Sequence, residues 1–435
     1  MSNQIFQNLK DLPTPLYRSQ CVPHKHEILI CGGRHEGACY SYHTLKNEYK
    51  LICEYPSHVK LNGHCVVTLI DNNNKDSSQI TLLSFGGYKD SRHTLVMKYV
   101  SVWSNISNNP NNCNQWIPFT DNHNRPILIG RDYDDYQGVR AVIGGRSNHL
   151  LFITYSYNNI SVFDLNTFQF IQHSILPTDN NILYHCFVSN LENEQGQEMI
   201  KANEGNYQML LFCDKTGLSI KHEDYSIFQF HQLHVCDDIA PFNSYAYLCI
   251  NDVILFFGGY GNDLSKSVHK YSIRENKWMT FQNTLPSPLR DCIAILSEED
   301  NHIHIIGGQD DTYSPLSIHM KTKMRIWDTS QLSKNEIKYI VQYWVRILKI
   351  KLGWIDDFNK IIRQAFFVKQ QLFSICNISF FYNLFFFQKD HKKFNFYCSL
   401  QFLLQKLYNV RKRFVHFVLY NVRSKLSYNE IFEYV

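Results

Sequence analysis

Apolar and polar residues along residues 1–330 follow a pattern that predicts strands. Apolar runs of four to six residues end on paired glycines: EILICGG at Gly32–Gly33, ITLLSFGG at Gly86–Gly87, DVILFFGG at Gly258–Gly259 and NHIHIIGG at Gly307–Gly308. A continuous apolar run stopped by a breaker suits a strand buried on both faces. Lacking Cβ, glycine lets the chain turn through φ values closed to other residues and lie close to a neighbouring strand. After each pair comes a polar loop, then an alternating strand with an aromatic residue (ACYSYHT, HTLVMKYVSVW, KSVHKYSI). A fourth strand then carries Tyr49, Trp116 or Trp278.

The pattern repeats with a period near 50 residues. FQNLKDLPTPLYRSQCV from Phe6 and FQNTLPSPLRDCIAI from Phe281 both read as strand, Leu-Pro-x-Pro-Leu turn, strand, and then the glycine-closed run. Residues 149–170 and 208–230 keep the strand spacing without the glycine pair. Gly144–Gly145 precedes the apolar run Leu150–Thr154 and reads as a turn between a first and a second strand. Setting Gly32, Gly86, Thr154, Cys213, Gly258 and Gly307 as equivalent gives steps of 54, 68, 59, 45 and 49 residues. The 59-residue step holds a polar insertion at Asn190–Asn206, and such insertions fall in loops. The glycine-closed runs are read as inner strands of successive units around a common axis. Two segments compete to complete the last unit, Gln4–Asn8 and Met324–Asp328.

The glycine pair, the later Tyr and the Trp after it resemble the kelch repeat, best at Gly258–Gly259, Tyr271 and Trp278, followed by LPSPLR. The resemblance implies an all-β fold, a six-bladed kelch-type β-propeller over residues 1–330 with two degenerate blades, and a C-terminal helical extension. It marks Gly32, Gly33, Gly86, Gly87, Gly258, Gly259, Tyr271, Trp278, Gly307 and Gly308 as structural repeat residues, not a phosphate loop. Relatives commonly bind actin, ubiquitin-ligase substrates or other proteins. The implied function is a non-catalytic protein–protein interaction scaffold presenting the loops Arg34–Gly37, Tyr88–His93, Tyr260–Lys266 and Gln309–Pro315. Alternatives are a ubiquitin-ligase substrate adaptor, an actin-associated protein, or an enzyme using the central channel. The repeat starts within the first ten residues, where many adaptor relatives carry a dimerisation domain, and this counts against the adaptor.

From Ser333 the period changes to about 3.6. Ser333 and Glu336 form a capping box, and Ile337, Ile340, Val341, Trp344, Ile347 and Leu348 share one stripe, so 331–363 reads as an amphipathic helical segment. Residues 364–435 contain no Gly, Pro or Trp but 14 of the 30 Phe. Three readings of this tail stand: a membrane segment at 372–387, short for a span; a helical tail; or translated AT-rich non-coding sequence.

Charge narrows the partners. The net charge of +4 comes from the tail, whose ten Lys or Arg face three Asp or Glu. The other 363 residues carry 33 basic and 36 acidic side chains, a balance of −3, so no basic footprint for nucleic acid is expected there. Thirteen cysteines, without a C-x-x-C pair and set mostly in apolar runs, read as free thiols of a reducing compartment. With no signal-peptide core at the N-terminus, a cytoplasmic protein is expected.

Candidate chemistry is sparse. His24 with His26 and His302 with His304 are i, i+2 pairs beside polar turns and read as solvated turn histidines. Asp132, Asp134 and Asp135 lack the glycine and glutamate of a calcium loop and read as an acidic surface loop. No nucleophile elbow or dinucleotide loop is present. The sequence therefore predicts no catalytic residue, no cofactor and no metal site, with a protein as partner.

Overall fold

The computed structural model describes residues 5–69, 79–88, 91–104, 113–145, 147–189, 207–223, 227–250, 252–297 and 299–328. Strand β1 (Phe6–Asn8) opens the chain. The first antiparallel blade is β2 (Gln20–His24), β3 (Glu27–Gly33), β4 (Glu36–His43) and β5 (Glu48–Glu54). The second is β6 (Cys65–Leu69), β7 (Gln79–Tyr88), β8 (His93–Val100) and β9 (Ile117–Pro118), with β10 (Asp135–Tyr136) added to β7. The third is β11 (Arg140–Gly144), β12 (Leu150–Tyr155), β13 (Asn159–Asp164) and β14 (Gln169–Ile175). The fourth is β15 (Cys186–Ser189), β16 (Tyr207–Cys213), β17 (Thr216–Glu223) and β18 (Ile227–Gln232). The fifth is β19 (Ala246–Ile250), β20 (Val253–Phe257), β21 (Val268–Ser272) and β22 (Lys277–Thr280). The last blade takes β23 (Ile293–Ser297), β24 (His302–Ile306) and β25 (His319–Lys323), and its outer strand is β1.

First strands of neighbouring blades touch: β2 meets β6 and β23, β11 meets β6 and β15, and β19 meets β23. The chain is thus a six-bladed β-propeller. Pairing of Phe6 with Thr322 and Asn8 with Met320 joins the two ends of the ring. The N-terminal strand takes the last slot, and its competitor Met324–Trp327 is a single helical turn, α1. Closure leaves no long free edge at the seam.

The observed strand order places the glycine-closed runs within each blade. The glycine-closed runs are second strands, one place out from the axis, and the innermost strands are β2, β6, β11, β15, β19 and β23. A second strand has sheet partners on both edges and neighbouring blades against both faces. Accordingly β3 and β20 are buried along their whole length, whereas β6 and β11 are mostly half-buried.

The core lies in slabs between blades. Leu29, Cys31 and Cys39 of the first blade pack on Leu82, Leu95 and Met97 of the second, and equivalent slabs follow around the ring. The fourth-position aromatics reach the preceding blade. Trp116 stacks on Tyr55 at 4.7 Å, and Trp278 lies 5.1 Å from Phe212 and donates to the His234 carbonyl at 2.7 Å. Tyr49 bonds His319 across the closing seam. In the blades without a glycine pair, tight turns do the same work with non-glycine residues at positive φ: Tyr157 and Asn158 between β12 and β13, Asp214 between β16 and β17.

The histidine reading also changes. His24 is buried edge-on to Tyr99 at 5.8 Å, and His304 is buried with its Nδ1 2.8 Å from His319 Nε2. Asp134 is buried and holds Arg131 at 3.0 Å, while Asp132 stays exposed. The insertion Asn190–Asn206 and the segments 331–363, 364–435 and 372–387 lie wholly outside the described residues. Among the described residues no helix is long and apolar enough to cross a membrane.

Burial at the seams gives a pH dependence. Desolvation lowers His64 and His304 from 6.5 to about 4, and His93 to about 3. The unfolded chain therefore takes up protons that the folded chain refuses. This stability is fully present above the unfolded value of 6.5 and is lost as pH falls from there through about 4. The urea midpoint should fall steadily over that window; a flat profile would contradict the burial of these rings.

Candidate functional site

Strand register fixes which loops share an end of the ring. The first residue of each first strand pairs with the end of the second: Gln20 with Cys31, Cys65 with Phe85, Arg140 with Thr154, Cys186 with Phe212, Ala246 with Phe257 and Ile293 with Ile306. The entries to the first strands and the loops leaving the second strands therefore lie together at one end.

Two residues before each first strand the backbone turns through positive φ: Arg18 (55°), Gly63 (67°), Gly138 (70°), Tyr184 (51°), Ser244 (53°) and Asp291 (53°). These six residues form a ring around the axis, linked blade to blade through the backbone. Gly138 N donates to Gly63 O (2.8 Å), Tyr184 N to Gly138 O (3.1 Å), Asp291 N to Ser244 O (2.8 Å) and Arg18 N to Asp291 O (2.9 Å). A Cβ at Gly63 would lie 2.6 Å from Gly138 N and 2.6 Å from Tyr184 Cε1. The remaining four positions hold side chains in a conformation that costs a non-glycine residue about 1 kcal/mol.

The glycine pairs make the second inter-blade link. Gly259 N donates to Leu289 O, and Gly308 N to Leu16 O, each at 2.8 Å. Both acceptors belong to the Leu-Pro-x-Pro-Leu turns, and a Cβ on Gly258 or Gly307 would overlap the same two carbonyls. Gly32 lies against Leu61, and Gly86 against His64. Gly33 and Gly87 complete their pairs beside Tyr17 and Ser91. Tyr271 is buried on β21 with its hydroxyl on Asn276 Oδ1 at 2.7 Å, on the flank of the blade and away from the ring.

Inside the ring is a cavity of about 210 Å³. Arg18, Tyr184, Ser244 and Asp291 stand at its rim, with Ser19 and Arg140 also lining it. Arg18 is fixed on three sides: Asp291 at 3.1 Å, Asn62 Oδ1 at 3.5 Å, and the Tyr184 ring at 4.0 Å. Beside it, Arg290 sits 4.7 Å from the Tyr260 ring and 4.2 Å from that of Tyr313, and donates to Gln309 Oε1 at 3.1 Å. Two of the loops expected to bind, those starting at Tyr260 and Gln309, are thus bridged by one arginine.

Arg140 differs from both. Its guanidinium donates to the Val139 carbonyl at 2.9 Å, and among the described residues no carboxylate pairs with it. Its charge acts on His64, on His185 and on Tyr247, three different blades, which places it near the axis. Desolvation raises the Cys65 thiol to about 11 and Cys292 to about 12, so the cysteines of the cavity wall stay protonated near neutral pH. Among the described residues no group of three or more His, Cys, Asp or Glu could hold a metal ion.

None of Arg18, Arg140, Tyr184 and Asp291 was singled out by the sequence. The available signal was their fixed place two residues, or none, before each first strand, of which Gly63 and Gly138 are the visible members.

No family model and no curated protein matches the chain. A solved structure titled "Structure of YjhT" matches at 12% identity and a TM-score of 0.48, over 72% of this chain and 95% of that one. At that identity no residue role transfers.

The ring predicts opposite effects at equivalent positions. Gly63→Ala and Gly138→Ala should each lose about 2–4 kcal/mol of stability. Ser244→Gly should raise it or leave it unchanged, within about 1 kcal/mol. Denaturant melts of the three variants check this; an equal loss in all three would rule out the ring as the constraint.

Proposed function

We propose that this protein is a kelch-type, non-catalytic interaction scaffold that engages a protein partner through the end of the propeller carrying the ring. The observation that carries the reading is the bridging of separate loops by packed arginines: Arg290 between Tyr260 and Tyr313, Arg18 between Asp291 and Tyr184. Loops braced in this way form a preorganised surface, and Arg and Tyr are the side chains that contribute most at protein interfaces. The glycine pairs, Tyr271 and Trp278 support the kelch assignment. The adaptor and actin-associated roles are two versions of the same reading and differ only in the partner.

A second reading, an enzyme using the channel, draws support from the convergence of Arg18, Arg140, Ser19 and Asp291 on the cavity. Its weakness is that burial holds the wall thiols Cys65 and Cys292 protonated, so neither is an activated nucleophile.

Affinity capture from native lysate tests the scaffold. The full chain should recover a reproducible partner, and Arg290→Ala with Tyr313→Ala should cut recovery about tenfold or more. Met279→Ser, an exposed change on the outer strand β22, should leave recovery unaltered. Failure to recover any partner, or equal recovery by both variants, would count against it.

A further inference from the structure

We propose that the closing seam carries a proton-switched clasp, in which the Tyr49 hydroxyl passes from His319 to the Lys10 carbonyl when the buried pair His304–His319 takes up one proton. The inference stands apart from the scaffold reading, because it rests on the seam alone.

The clasp varies a contact that recurs in the repeat. In the fifth blade the Tyr271 hydroxyl donates to Asn276 Oδ1, and Trp278 Nε1 donates to the His234 carbonyl, which follows the fourth blade, each at 2.7 Å. In the first blade Tyr42 donates to Asn47 Oδ1 at 3.0 Å, and Tyr49 stands in place of the tryptophan, 3.3 Å from the Lys10 carbonyl. Lys10 follows β1, so this contact bears on the strand that closes the ring, and Lys10 N donates to Asn47 Oδ1 at 3.1 Å. An indole N–H only donates, whereas a phenol both donates and accepts. Tyr49 has a second partner to use that freedom on, because its hydroxyl also meets His319 Nδ1.

Counting hydrogens fixes what the relay can hold. From the Lys10 carbonyl the chain of contacts runs through the Tyr49 hydroxyl to His319 Nδ1, and from His319 Nε2 to His304 Nδ1 at 2.8 Å. It ends at His304 Nε2, which is buried without a partner. Each inner contact, tyrosine to ring and ring to ring, needs one hydrogen. The tyrosine and both neutral imidazoles bring one hydrogen each, so a single hydrogen is left over for one of the ends. With one added proton every contact survives only if Tyr49 donates to Lys10 and His304 Nε2 carries a hydrogen. A second added proton would leave two hydrogens facing each other in an inner contact and break the chain.

The surroundings set the resting state. The 3.3 Å separation from Lys10 is long for an O–H donor, so in the neutral chain the hydroxyl points at His319. The spare hydrogen then sits on His304 Nε2, where the Asp300 carboxylate favours it. Asp300 is itself paired with His302 at 3.3 Å and Lys321 at 3.6 Å, and those two cations or potential cations oppose a second charge on the pair. On the Tyr49 side stand Tyr42, whose ring lies 4.4 Å from that of His319, and Cys21 and Asp11. Burial holds His304 down at about 4 and His319 well below its ordinary value, so the pair is neutral near neutral pH.

NMR of the full chain with isotope-labelled histidine rings and lysine carbonyls tests the clasp, the signals being assigned from their loss in His304→Gln, His319→Gln and Lys10→Arg. As pH falls, the pair should take up one proton while the ring-to-ring contact persists, and the Lys10 carbonyl signal should move downfield with the same midpoint. Tyr49→Phe should lower that midpoint by about one pH unit or more, because the charged pair loses an acceptor, and should abolish the Lys10 shift. Tyr42→Phe keeps the ring packing and removes a hydroxyl outside the relay, so its midpoint should match the parent's. Circular dichroism confirms that each variant is folded at neutral pH. Equal midpoints in the parent and Tyr49→Phe, equal lowering by both tyrosine variants, or a Lys10 signal that ignores the titration overturns the proposal. So does unfolding of the parent before the pair takes up its proton.

Discussion

The propeller depends on a ring of positive-φ residues just before each first strand. Each blade must turn its entering chain sharply toward the axis, and the left-handed conformation at Arg18, Gly63, Gly138, Tyr184, Ser244 and Asp291 makes that turn. The same conformation presents the backbone to the neighbouring blade, so that four inter-blade hydrogen bonds run around the axis. Glycine pairs add a second contact farther out, through the Leu16 and Leu289 carbonyls. Apolar slabs between blades supply most of the burial, but apolar packing is not directional. The backbone links set the angle at which one blade meets the next.

The ring is not uniform, and its asymmetry shapes the cavity. Gly63 and Gly138 leave space that the Tyr184 ring fills, and Gln137 Nε2 donates to the Tyr184 hydroxyl at 3.1 Å. Tyr184 in turn carries Arg18 on its face, and Arg18 holds Asp291. One sector of the mouth is therefore filled by an interlocked set of aromatic and charged side chains. Arg140, which begins its strand, pairs with no acidic residue among the described residues.

The strands were legible because second strands are enclosed on every side and so must be apolar throughout. That is why the runs closing at Gly33, Gly87, Gly259 and Gly308 stand out, and why the third and fourth blades could be placed by spacing alone. First strands face the channel and carry mixed residues such as RAVIG, so they stand out less in the sequence than the second strands do. The ring left little trace because Arg18, Tyr184, Ser244 and Asp291 are not residues that advertise positive φ. Only the offset from β2, β15, β19 and β23 reveals them, and those boundaries come from the fold. His24 and His304 were misread for a related reason: closeness in sequence to a polar turn says little about the neighbouring blade, which is what buries them.

Charge was averaged away in the same fashion. A balance of −3 over 363 residues excludes a broad basic surface but not a local one. Arg18, Arg140 and Arg290 come from three blades and share no sequence neighbourhood, yet all lie at one end of the ring. Two of them are matched: Arg18 by Asp291, and Arg290 by tyrosine faces and an amide. A partly desolvated cation without a counter-charge is costly to hold in a folded protein. At Arg140 the cost is reduced because the side chain is only half-buried and remains open to solvent.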